Sequence, residues 1–247
     1  MGTHETVISI QNLTKDFGNN QGIFDISLGI KKGEVFGFLG PNGAGKTTTI
    51  RHLLGFIKSD SGNCQILGMD CWTKPKEIQR HVGYIAGEIA LPDGMNGQSF
   101  LMQIAKMRDV KWERVVELCT FFDINPNNKI KRMSKGMKQK IALVLAFMHD
   151  PDILLLDEPT SGLDPLMQEK FCELILREKE RGKTIMLSSH IFNEVEKTCD
   201  RVMIIKHGRI IAEVDMHGIE KAKPEFVVTK FSLEQYFMNY YKKEGQQ

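Results

Sequence analysis

The apolar run Val35 to Leu39 passes without a break into Gly40-Pro41-Asn42-Gly43-Ala44-Gly45-Lys46-Thr47, and no other junction constrains the fold so tightly. A buried strand that turns through glycines into a helix wraps backbone N–H groups around a phosphate. Glycines at 40, 43 and 45 give those groups room to turn inward where a side chain would clash. A helix is expected next, because Ile50, Leu53, Leu54 and Ile57 fall at i, i+3, i+4 and i+7. Starting near Lys46, it adds its N-terminal partial positive charge. Lys46 is expected to reach the β- and γ-phosphates of a triphosphate, and the Thr47 hydroxyl to ligate Mg2+. Taken alone, this loop fits kinases, GTPases and many other nucleotide hydrolases.

A second element supplies carboxylates. The run Ile153-Leu154-Leu155-Leu156-Asp157-Glu158 is too short for a helix and reads as a buried strand with an acidic end. Beside the glycine loop, Asp157 is placed to hold Mg2+ through water. Glu158 projects off the strand end, where it orients and polarises an attacking water. In isolation, two solvated carboxylates at a strand end explain the pair equally well. The glycine loop in the same chain favours the metal reading.

Strand and helix signals alternate around these two elements. Residues 6–10 and 23–30 read as strands, with turn chemistry at Gly18-Asn19-Asn20, and Val82 to Ile85 as a short buried strand. Residues 92–133 change character: helical in pattern, richer in Met and Lys, without strand signals, and broken at Asn125-Pro126-Asn127. Asp164 reads as an N-cap with Pro165 at the first helical position, and Gly182 closes that helix. A strand follows at residues 184–187, then a hairpin of residues 201–205 and 209–214 across His207-Gly208. A Tyr/Phe-rich helical piece is expected at residues 233–241. The alternation predicts an α/β core with a largely parallel sheet.

Composition removes some functions. Against 31 Asp+Glu stand 33 Lys+Arg, a net charge of +2, which leaves no electrostatic footprint for nucleic acid, and none is expected as a partner. The five cysteines form no CxxC pair and read as free, small, buried residues in a reducing compartment. Residues 1–15 are polar, without an apolar signal core, and no apolar run approaches the ~20 residues that span a bilayer. Any transport role therefore calls for a separate membrane partner.

Taken in order, these motifs and three more resemble the nucleotide-binding subunits of ABC transporters over about residues 6–215. Met133-Ser134-Lys135-Gly136-Met137-Lys138-Gln139 resembles the signature motif, Ser161-Gly162-Leu163-Asp164 the D-loop, and His190 the switch histidine. Ser134 and Gly136 precede the apolar-periodic residues 141–148, so they also read as a helix N-terminus with Ser134 as N-cap. The resemblance implies a single ATPase domain over residues 1–247: an α/β P-loop NTPase core with a mostly parallel sheet, an N-terminal antiparallel β subdomain and an inserted α-helical subdomain. Core and β subdomain take about residues 1–87 and 150–216, the helical subdomain about 88–149, and a short tail 217–247. ATP would lie on Gly40, Pro41, Asn42, Gly43, Ala44, Gly45, Lys46, Thr47 and Thr48, with Phe17 stacked on adenine. Ser134, Gly136 and Asp164 would complete the site of a second copy, so that one nucleotide joins two chains. Glu158 and His190 would carry hydrolysis, His190 holding the γ-phosphate and the water. Membrane permease subunits would bind the cytoplasmic chain to the inner face of the cell membrane.

Two departures from the family pattern stand out. Gly87 occupies the place of the usual Gln, and Glu88 next to it is an oxygen donor for metal or a residue of the coupling path. Lys135 and Met137 replace the commonest Gly and Gln, in the form that resembles ATPases paired with ABC-2-type exporters. The alternative reading is a soluble ABC ATPase acting on ribosomes, DNA or complex assembly. Such proteins usually carry two nucleotide-binding halves or a long coiled-coil insertion.

Overall fold

The computed structural model describes residues 5–216. Strands β1 (Thr6–Asp16) and β2 (Gly22–Lys31) lead into β3 (Val35–Leu39) and helix α1 (Lys46–Leu53). Strands β4 (Ser61–Ile66) and β5 (Met69–Asp70), helix α2 (Pro75–His81) and strand β6 (Val82–Ile85) follow. The helical stretch holds α3 (Gly97–Met107), α4 (Trp112–Phe121) and α5 (Lys135–Phe147). The chain then alternates through β7 (Ile153–Asp157), α6 (Pro165–Glu180), β8 (Thr184–Ser189) and α7 (Phe192–Thr198), and closes on the hairpin β9 (Arg201–Lys206) and β10 (Arg209–Asp215).

The strands form two sheets. An antiparallel sheet runs β2-β1-β4-β5, and a second runs β10-β9-β3-β8-β7-β6, parallel except for β10. Every residue of β3, β7 and β8 is buried, as expected where both faces of a parallel sheet are covered. Alternation along each strand divides the core in two. Phe36, Phe38, Ile153, Leu155, Met186 and Ile205 pack with β1, β2 and α1. Val35, Leu39, Leu154, Leu156, Ile185 and Leu187 pack with α5, α6 and α7. Each fully buried side chain of this size contributes about 1.5–3 kcal/mol relative to exposure. With both faces covered, the edge at the strands' carboxyl ends is where loops are free to vary, and open parallel sheets bind ligands there.

Several expected elements recur with altered limits. Strand β1 continues past Ile10 to Asp16, carried through an irregularity at Asn12, whose φ is 48°. Helix α1 stops at Leu53, short of Ile57, because Gly55 takes φ +69° and Phe56 N donates to Arg51 O, a Schellman closure. Strands β4 and β5 and helices α2 and α7 had no expectation behind them. In β4 (Ser-Gly-Asn-Cys-Gln-Ile) Cys64 and Ile66 alone are buried, too sparse an alternation to read. All five cysteines are free and buried. Residues 233–241 lie outside the described residues. Among the described residues, no helix is long and apolar enough to cross a membrane.

Candidate active site

Loops leaving β3, β7, β8 and β6 carry the glycine loop, Glu158, His190 and Gly87-Glu88, all at one edge of the parallel sheet. Gly45 is the N-cap of α1 with φ +112°, a region that strains any other residue, and a Cβ there would lie 2.7 Å from Ile23 Cγ2. Gly40 is required for space instead, since its Cβ would lie 2.4 Å from Ile205 O. The loop is pinned from behind: Gly208 N donates to Ala44 O, and Phe24 N to Gly208 O. No side chain caps α1 and its first turn holds no acidic residue, so its N–H groups remain available to an anion. Pro41, Asn42 and Gly43 are exposed on the rim, and Thr48 is half-buried, its carbonyl 2.8 Å from His52 Nδ1.

Polar side chains converge behind the loop. Lys46 is 4% exposed, and its Nζ donates to Gly40 O at 2.6 Å and Pro41 O at 3.2 Å. The same Nζ lies 3.1 Å from Glu158 Oε1, an ion pair without hydrogen-bond alignment, since Oε1 has no hydrogen-bond partner. His190 Nδ1 is 2.6 Å from Glu158 Oε2. Lys46, Glu158 and His190 thus form one continuous line of polar side chains. Glu158 holds φ +50°, a backbone cost tolerated where the surroundings over-determine it: its N–H reaches both Ser188 O at 3.1 Å and Ser188 Oγ at 3.2 Å. Next to this line, Thr47 Oγ1 donates to Asp157 Oδ2 at 2.6 Å, and Ser188 Oγ to Asp157 Oδ1 at 2.5 Å. Sequence reasoning gave Ser188 no role. Its place at the end of β8, in register with Asp157, is the signal that a pairing of β7 with β8 would have supplied.

The two departures from pattern occupy definite places. A Cβ on Gly87 would lie 2.9 Å from Asp157 Oδ2, so bare backbone abuts the carboxylate. Glu88 is exposed, and lines a cleft of about 370 Å3 with Gly87, Met133, Lys135, Lys138 and Gln139. The chain there runs beside the start of α5. Phe17 is 55% exposed in the turn between β1 and β2, with Lys15 Nζ 5.9 Å from its ring centre.

Helix α5 and the loop after β7 approach main chain to main chain. Ser134 caps α5, its Oγ accepting from Met137 N at 3.2 Å. A Cβ on Gly136 would lie 2.6 Å from Gly162 O. Lys135 Nζ donates to Ser161 Oγ at 2.8 Å, and buried Gln139 Nε2 to Pro159 O at 2.6 Å. Asp164 caps α6, its Oδ1 accepting from Met167 N at 3.0 Å. Since backbone blocks a methyl group at 136, Gly136→Ala is expected to displace the 159–164 loop and lower turnover by about ten-fold or more. Nucleotide binding, measured by titration of the isolated chain, should change by less than about two-fold if residues 40–47, which the substitution leaves untouched, are what hold the nucleotide.

The chain is similar to known proteins of one family. A family model described as ABC transporter matches residues 23–161. An uncharacterised ABC transporter ATP-binding protein of Bacillus subtilis, YhcH, is 40% identical over 84% of this chain and 69% of its own. The bacitracin transport ATP-binding protein BcrA of Bacillus licheniformis is 36% identical over 92% of this chain and 76% of its own. A solved structure of the ATP-binding subunit of an ABC transporter superposes with a TM-score of 0.82 at 28% identity, covering 95% of this chain and 99% of that one. With a glycine loop on one buried strand, a carboxylate pair at the end of another two places along the sheet and this breadth of similarity, the chain belongs to the ATP-binding proteins of the ABC transporter family.

Proposed function

We propose that two copies of this chain close on two molecules of Mg2+–ATP and hydrolyse them, driving export through separate membrane subunits. The observation that carries the reading is the line Lys46–Glu158–His190 laid beside the Thr47–Asp157 pair. The donor chemistry fits Mg2+: a hydroxyl and a carboxylate, both hard oxygen donors, converge within 2.6 Å. Thr47 and Asp157 would hold the ion, with phosphate and water oxygens as its further ligands, the kind of shell Mg2+ favours. Bound there, Mg2+ would neutralise charge on the β- and γ-phosphates.

The chain's own groups do the rest. Lys46 and the N–H groups of residues 40–47 hold the triphosphate, and Phe17 offers an open ring for the base. Glu158 accepts the proton of the attacking water. His190 steadies that carboxylate through Nδ1 and leaves Nε2 for the γ-phosphate. We assign Gly87-Glu88 to coupling, because Glu88 lines the cleft beside α5 and Gly87 sits where a Cβ would crowd the Asp157 carboxylate. The exposed N-terminus of α5, with Ser134 and Gly136, serves the nucleotide held by the second copy, with Asp164 beside it. The exported cargo contacts the membrane subunits, which place this chain on the cytoplasmic face of the membrane; BcrA, by its name, serves bacitracin transport.

Ser134→Arg tests the composite site. ATP binding by the isolated chain should be retained, while the ATP-driven dimer should be lost on size exclusion. A dimer formed by that variant refutes the contact across copies. Purification from native membranes should bring down a polytopic membrane protein, and its absence from an intact complex refutes the transport reading.

A further inference from the structure

Helix α7 brings a carboxylate beneath the site that hydrolysis as described does not use. Glu194 is 4% exposed. Its Oε2 accepts from Ser189 Oγ at 2.6 Å and from Thr160 Oγ1 at 3.3 Å. Its Oε1 is buried with no hydrogen-bond partner. Ser189 immediately precedes His190, and its Oγ also accepts from Ile191 N at 3.0 Å, so this hydroxyl ties both sides of the histidine. Thr160 opens the loop that packs on α5, and Leu163 N donates to its carbonyl. One carboxylate therefore clamps the loop from β8 to the loop from β7, one residue before His190 and two after Glu158.

A buried carboxylate with an unmatched oxygen is an expensive way to fill space, since burial penalises the charged form. Burial first, with the charge of Glu158 adding to it, raises the Glu194 carboxyl to about 7, against the lowering effect of the Ser189 and Thr160 hydroxyls. The other titratable groups facing it are Cys172 on α6 and Cys199 at the end of α7. Leu or Met would occupy the same volume without that cost, but neither accepts from two hydroxyls.

We propose that Glu194 is a positioning residue for hydrolysis: by accepting from Ser189 and Thr160 together, it fixes His190 against Glu158 and sets the 159–164 loop that meets α5. The inference rests on the proposed roles of Glu158 and His190. In the full chain with Mg2+–ATP, Glu194→Ala is expected to lower kcat by about ten-fold or more while KM for ATP moves less than about two-fold. Glu194→Gln keeps an oxygen acceptor and should recover kcat to within about three-fold of the unaltered chain. A kcat unchanged in Glu194→Ala overturns the proposal, and so does a Gln variant no better than Ala. Should Glu194→Ala not fold, Ser189→Ala and Thr160→Val each remove one arm of the clamp; both should lower kcat at constant KM, and full turnover in both overturns it. Glu158→Gln keeps the two failures apart. If that variant turns over normally, the reading of the site falls; if it is dead while Glu194→Ala is normal, the role of Glu194 alone falls.

Discussion

Glu158→Gln is expected to slow ATP turnover by about a thousand-fold or more, a barrier increase of roughly 4 kcal/mol, while ATP binding persists. The amide has the volume of the carboxylate and the same tolerance for φ +50° at the end of β7, so the backbone contacts to Ser188 remain. What it lacks is a basic oxygen. The amide also gives up the charge that pairs with Lys46 Nζ at 3.1 Å, leaving that ammonium free for phosphate. Binding should therefore be equal or tighter, and the chain should collect as an ATP-bound dimer on size exclusion. Normal turnover removes Glu158 as the base. Loss of binding along with turnover shows a structural role instead, since the two readouts separate in the first case and fall together in the second.

Legibility of the site in the sequence followed how local each requirement is. The run from β3 into α1 is set by contiguous residues, and Val35–Leu39 and Lys46 fall where periodicity and glycine spacing place them. Ser134 and Asp164 were readable as caps because a cap is a local hydrogen bond. The family resemblance, and not residue chemistry alone, singled out His190; what holds it is remote in sequence. Ser188 matters through its register with Asp157, Thr160 and Ser189 through Glu194, and Gln139 through Pro159. Each such pairing depends on strand order or helix packing, which one sequence does not encode in any spacing. The end of α1 was misplaced for a local reason: the apolar spacing to Ile57 persists past Gly55, but the left-handed glycine closes the helix first.

Lys46→Ala should lower ATP affinity by about a hundred-fold or more. Charge-assisted hydrogen bonds are worth about 1.5–3 kcal/mol each, and the ammonium is expected to make two to phosphate oxygens. Its place in the fold sharpens the expectation. Nζ also donates to Gly40 O and Pro41 O, so the lysine shapes the loop as well as charging it, and Ala removes both effects. Lys46→Met keeps the apolar stem in its buried channel but not the donor; if charge is what matters, it should lose affinity as Ala does. Full ATP affinity in either variant contradicts the assignment of residues 40–47. The Lys46 and Glu158 substitutions are also coupled. Since the trapped dimer needs bound nucleotide, the Lys46→Ala, Glu158→Gln double variant should elute as a monomer with ATP at a concentration that dimerises Glu158→Gln alone. A double variant that still dimerises means that closure does not depend on ATP in this loop, and the order of events proposed here, binding before closure before hydrolysis, is wrong.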